Sequence, residues 1–175
     1  MKSVKRRIHR PGSPGRFILT AAVLVAILLG TLWAASLDRT EVTNRQFLEF
    51  LLATGRPPLE HWKGTQVPKD AEEQPVVLVS WFDARDYCAW KSKRLPSREE
   101  WGAACSSEGF QKKGNVWEWT RTEEPNGWKV LCGPIGVCDC THRYRPEWKN
   151  AVKGFRCVGD TPVALLPQDW RPDTP

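Results

Sequence analysis

Apolar and polar positions divide this chain into one long uniform apolar run, three amphipathic stretches, and then short alternating segments. The uniform run covers residues 17–36 (FILTAAVLVAILLGTLWAAS) and carries no charge. A helix rising about 1.5 Å per residue needs roughly 20 such residues to cross a bilayer core. Residues 17–36 are therefore expected to form one transmembrane anchor. Before it stand Lys2, Lys5, Arg6, Arg7, Arg10 and Arg16, with no acid among them. Because basic flanks stay on the cytoplasmic side, residues 1–16 are expected inside and everything beyond Ser36 outside the cytoplasm. Ala34-Ala35-Ser36 would also suit a signal-peptide cleavage site. Both readings export the rest of the chain.

Beyond the anchor, Leu37–Val42 suits a short strand and Thr43-Asn44 a helix cap. Phe47, Leu48, Phe50 and Leu51 then recur at helical spacing until Gly55, a natural stop, with Pro57-Pro58 following. Residues 55–75 are polar and punctuated by proline, so they read as loop. Pro75–Val79 is a short apolar extended run. Ser80 caps a second helix with Trp81, Ala84, Tyr87, Cys88 and Lys91 on one face. Ser97-Arg98-Glu99-Glu100 has the form of a capping box and opens a third helix to about Cys105. After that the pattern changes to short strands, expected over 115–120, 127–131 and 154–158. The tail, 159–175, holds four prolines without periodicity and reads as an extended wrap or as disorder.

Charge and cysteine content alter this picture. The full chain has a formal charge of +6, but the six basic residues of the lead belong to topology. Without them, 20 Lys and Arg face 20 Asp and Glu, so the exported part is neutral and the basic pI is no argument for nucleic acid. All six cysteines (Cys88, Cys105, Cys132, Cys138, Cys140 and Cys157) lie beyond the apolar run. An even number in an exported domain points to disulfides, and six cysteines allow about 15 pairings. The tryptophans Trp81, Trp101, Trp117 and Trp119 are expected to be core rather than a sugar platform.

Six segments in order resemble one family. They are Glu41-Val-Thr-Asn44; Pro75-Val-Val-Leu-Val-Ser-Trp81 with Asp83-Ala84 and Tyr87-Cys88; Lys93-Arg-Leu-Pro-Ser97 with Glu100-Trp101; Gly114-Asn-Val-Trp-Glu-Trp-Thr120; Arg143-Tyr-Arg145; and Gly154-Phe-Arg-Cys157. Together they resemble the formylglycine-generating enzyme, or sulfatase-modifying factor, family. The resemblance implies an α+β domain of modified C-type-lectin-like fold, with little regular secondary structure, over residues 37–158. It also implies a possible chemistry, the copper-dependent oxidation by O₂ of a sulfatase cysteine to formylglycine.

By that resemblance Cys138 and Cys140 are candidate catalytic copper thiolates, since soft thiolates suit Cu(I). In an extended strand His142 would face the same side as both. The alternative is that both cysteines are ordinary disulfide partners. The resemblance pairs Cys88 with Cys157. It leaves Cys105 without its usual partner, because Pro146 stands there, and Cys132 is a substitute. It also suggests calcium at Gln111, Gly114, Val116 and Glu118, the oxygen ligands being suitable; the alternative is that Glu118 only pairs with a neighbouring cation. An iron site of the histidine-cluster type is excluded, because the chain has three histidines and His9 lies in the lead.

Three departures weigh against catalysis. The family's serine position is Ile135, the copper cysteines are two rather than five residues apart, and only eight residues separate Cys105 from Gly114, where the family carries a long insertion. Two readings follow. One is a degenerate, membrane-anchored exported module that binds a protein or peptide partner. The other is the copper-dependent oxidase.

Overall fold

The computed structural model describes residues 36–159. The expected cytoplasmic lead, all but the last residue of the expected anchor, and nearly all of the expected tail lie outside the described residues. Among the described residues no helix is long and apolar enough to cross a membrane.

Three helices come first: α1 (Asn44–Thr54), α2 (Trp81–Trp90) and α3 (Arg98–Cys105). Each opens on a complete capping box, Thr43 with Gln46, Ser80 with Asp83, and Ser97 with Glu100. In each box the hydroxyl accepts the amide three residues on, while that residue's side chain accepts the cap's own amide. Two otherwise orphaned donors are thereby satisfied. Gly55 ends α1 in the left-handed conformation, φ 67°, which a side chain would strain.

The buried faces of α1 and α2 meet in an aromatic cluster. Tyr87 lies 5.8 Å from Phe47, 5.6 Å from Phe50 and 5.4 Å from Phe155, between ring centroids. Such stacked and edge contacts add to the area these rings remove from water. Val76, Val79, Leu95 and Trp119 extend the core beneath them.

Four strands follow: β1 (Trp117–Glu124), β2 (Trp128–Cys132), β3 (His142–Tyr144) and β4 (Lys153–Gly154). They form one mixed sheet in the order β3-β2-β1-β4. β1 and β2 make an antiparallel hairpin with an irregularity between Trp119 and Glu123, β3 runs antiparallel to β2, and β4 runs parallel to β1.

Several strand expectations need correction. The segment 37–42 is not a strand, although Asp38 and Val42 donate their amides to the carbonyls of Cys157 and Phe155. The Asp38 and Arg39 carbonyls are taken by the Arg156 guanidinium instead of a ladder. Pro75–Val79 is buried at Val76 and Val79 but makes only an isolated bridge at Pro75. Proline has no amide to give, and Leu78 turns the chain at φ 59°. The last expected strand shortens to Lys153–Gly154, and β3 was not expected. Trp101 and Trp119 are fully buried, whereas Trp81 and Trp117 pack only partly against the core.

Candidate functional site

Two places need examination: the loop expected to hold copper and the segment expected to hold calcium. The copper loop leaves β2 at Cys132. Gly133 donates its amide to the Asp139 carbonyl at 2.9 Å, closing residues 133–139 into a loop whose two ends lie side by side. Cys132 and Cys140 flank that closure with Cα atoms 4.1 Å apart, and they are bridged. Cys138, just inside the loop, is carried to the end of α3, where its Cα is 5.8 Å from that of Cys105 and a second bridge forms. The third joins Cys88 to Cys157, Cα to Cα 5.6 Å.

The structure thus corrects the expected grouping of the cysteines. Cys105 pairs with Cys138 rather than Cys132. The regular strand starts only at His142, so Cys138, Cys140 and His142 do not share a face. His142 is exposed and stacks on Trp117, ring centroids 3.8 Å apart. Among the described residues no cysteine is free, and no three His, Cys, Asp or Glu side chains gather as a metal would require. Both candidate thiolates being bonded to other sulfurs, this oxidised arrangement does not fit a bis-thiolate copper centre.

The calcium segment folds around a buried charge cluster. Glu118, at the start of β1, has no exposed surface, and its carboxylate accepts four hydrogen bonds. They come from Arg156 Nε (2.6 Å) and Nη2 (2.9 Å), Trp101 Nε1 (2.9 Å) and Lys112 Nζ (2.7 Å). Burial raises its pKa; the charges and hydrogen bonds of Arg156 and Lys112 outweigh that and hold the carboxyl below the ordinary glutamate value. Arg156 is equally buried. It also donates to the carbonyls of Asp38 (3.0 Å), Arg39 (2.8 Å) and Gln111 (3.0 Å), and lies over the Phe110 ring. Glu41 completes the cluster, its side chain buried and 3.2 Å from Lys112 Nζ and 3.6 Å from Arg156 Nη2.

Of the four expected calcium ligands, Val116 through its carbonyl and Glu118 through its carboxylate already receive Lys112 Nζ, at 2.8 Å and 2.7 Å. The Gln111 carbonyl accepts from Arg156, and the residue itself is exposed. Gly114 approaches Pro75, whose Cγ would lie 2.9 Å from a Cβ at that position. Two carboxylates and two cations already balance in charge, so the residues present do not fit an added divalent ion. The sequence reading missed Lys112 and Glu41. A charged residue inside each of two largely apolar motifs (Glu118 and Arg156) was the available signal, and Glu41, in a polar segment, gave none.

Two clefts bear on function. A groove of about 310 Å³ beside the Cys105–Cys138 bridge is lined by Trp101, Phe110, Lys112, Pro134, Ile135 and Val137, and so adjoins the charge cluster. A larger cleft of about 800 Å³ opens between α1 and the 55–75 loop and includes Arg45, Leu48, His61 and Glu72. Burial lowers the pKa of His61.

A sequence profile of the sulfatase-modifying factor enzyme 1-like domain matches residues 31–113. The inactive C-alpha-formylglycine-generating enzyme 2 of Bos taurus is 52% identical over 95 residues, covering 54% of this chain and 27% of that protein. Its Mus musculus counterpart is 40% identical over 114 residues, covering 63% and 32%. The formylglycine-generating enzyme of Thermomonospora curvata is 31% identical over 108 residues, covering 39% and 36%. The chain thus spans about a third or less of the first two relatives' length. Among solved structures, CarF superposes with a TM-score of 0.54 at 18% identity, covering 73% of this chain and 87% of that one, and so shares the fold of a mixed sheet with few helices. The ordered motifs, the profile match and these relatives place the chain in the sulfatase-modifying factor family, that of the formylglycine-generating enzymes.

Proposed function

We propose that this protein is a non-catalytic member of its family, anchored in a membrane by residues 17–36 and presenting a shortened, modified C-type-lectin-like domain outside the cytoplasm as an accessory or binding module. The observation that carries this reading is the placement of Cys138 and Cys140 in two separate bridges, to Cys105 and Cys132. Oxidation of a peptidyl cysteine by a copper thiolate centre needs free sulfurs, and three disulfides stand here instead. Their number also supports an oxidising compartment. The two mammalian relatives cited above carry the word inactive in their names, which agrees with this reading.

The binding face we assign is the apolar groove beside the Cys105–Cys138 bridge, where Ile135 and Val137 are about half exposed. Its partner is an extended segment of another exported protein. Full-length protein, incubated with Cu(I), oxygen and a cysteine-containing sulfatase peptide, is expected to leave the peptide mass unchanged. The peptide-positioning insertion is missing before Gly114, and positioning supplies much of such a rate. Conversion of the cysteine to formylglycine, abolished by Cys138→Ala, would contradict the proposal and restore the oxidase reading.

A further inference from the structure

We infer that the chain carries its own cation at the place where the family resemblance suggests calcium: the Lys112 ammonium bridges Val116, Glu118 and Glu41 in place of a metal ion. The short connection after α3 brings this about. Gln111 donates its amide to the Arg39 carbonyl at 2.8 Å, and Lys113 donates its amide to Glu41 Oε2 at 2.9 Å. Both neighbours of Lys112 are thus stitched to the 39–41 segment, and the side chain between them points inward. It is 6% exposed.

The ammonium then finds three oxygens: the Val116 carbonyl at 2.8 Å, Glu118 Oε1 at 2.7 Å and Glu41 Oε1 at 3.2 Å. The first two accept hydrogen bonds from it, whereas Glu41 Oε1 pairs with it by charge alone and has no hydrogen-bond donor. The surrounding backbone is fitted to it as well. Gly133 stands at φ 116°, and a Cβ there would lie 2.9 Å from the Val116 carbonyl and 3.3 Å from Lys112 Nζ. The bridged loop therefore closes over the lysine tip only with glycine at that position. Charge decides between the two cations. Lys112 and Arg156 already neutralise Glu41 and Glu118, and a divalent ion beside them would leave two uncompensated positive charges among almost fully buried groups.

The test uses full-length protein in detergent, with melting temperature and terbium luminescence as readouts. Terbium stands in for calcium, and Trp101, hydrogen-bonded to Glu118, is the antenna. The wild-type protein is expected to melt at one temperature in EDTA and in millimolar calcium, and to give no calcium-displaceable terbium emission. Removing the ammonium in Lys112→Ala leaves two carboxylates facing one guanidinium. That variant should melt lower, and calcium at about a hundred times its dissociation constant should raise the midpoint by roughly 10 °C. It should also gain terbium emission that calcium quenches. A wild-type midpoint that falls on adding EDTA would overturn the inference without any variant. So would a Lys112→Ala protein, folded or not, on which calcium has no effect.

Discussion

Arg156→Met is expected to destabilise the domain by about 3–5 kcal/mol, the usual result of removing one partner from a buried ion pair. Methionine fills much of the same space but donates nothing. Glu118 would keep only Trp101 and Lys112 of its four donors, and the carbonyls of Asp38 and Gln111 would lose the guanidinium, while that of Arg39 would keep only the Gln111 amide. Domains of this size hold about 5–15 kcal/mol in total, so the loss is a large share. Urea unfolding followed by circular dichroism measures it, and a loss under about 1 kcal/mol would show that the cluster is not structural. In the double variant Arg156→Met with Glu118→Met, the loss should be smaller than the two single losses added together, because no carboxylate is stranded at residue 118. The pH dependence has a definite sign. The Glu118 carboxyl titrates below its ordinary value of 4.5, so its contribution is complete above that value and is lost as the pH falls through the lowered one.

The second large effect is expected at Cys88. In the chain-entropy account, closing the 69-residue separation between Cys88 and Cys157 contributes roughly 4 kcal/mol, and closing the eight residues between Cys132 and Cys140 about 2.5 kcal/mol. Both Cys88 and Cys157 are fully buried, so a small apolar replacement is the fair comparison. The pair Cys88→Ala with Cys157→Ala should therefore lower the unfolding midpoint more than Cys132→Ala with Cys140→Ala. Calorimetry on the two double variants decides the order. A larger fall for the Cys132 pair would mean that the 133–139 loop, rather than the tie between α2 and the core, holds the domain together.

Much of this architecture was legible in the residues. The three helix starts could be read because each depends on a local hydroxyl and its partner three positions on, as at Ser97 and Glu100. The paired extended segments were less legible, since their hydrogen bonds depend on distant partners. Asp38 and Arg39 lie in a segment expected to be a strand, but an arginine more than 100 residues later takes their carbonyls. Residues 138, 140 and 142 share a face only if the backbone stays extended, and the Gly133–Asp139 closure removes that condition. The buried cluster was the least visible. Lys112 sits in a polar run with Gln111 and Lys113 and gives no sign in the sequence that one of the two lysines is buried. Lys153 is similar: it stands with its ammonium 3.2 Å from the centre of the Tyr144 ring, and burial depresses its pKa to about 8.

The central claim is that this family member has disulfides where a catalytic relative would need thiolates. Copper stoichiometry tests it most directly. Full-length protein, purified without thiol reductants, would be titrated with ascorbate-reduced Cu(I) against a chromophoric chelator. The expected result is no copper retained by the wild-type protein, and none by the double variant Cys105→Ala with Cys138→Ala, which leaves no stranded thiol. One Cu(I) held per chain, and lost in Cys138→Ala and in Cys140→Ala, would contradict it.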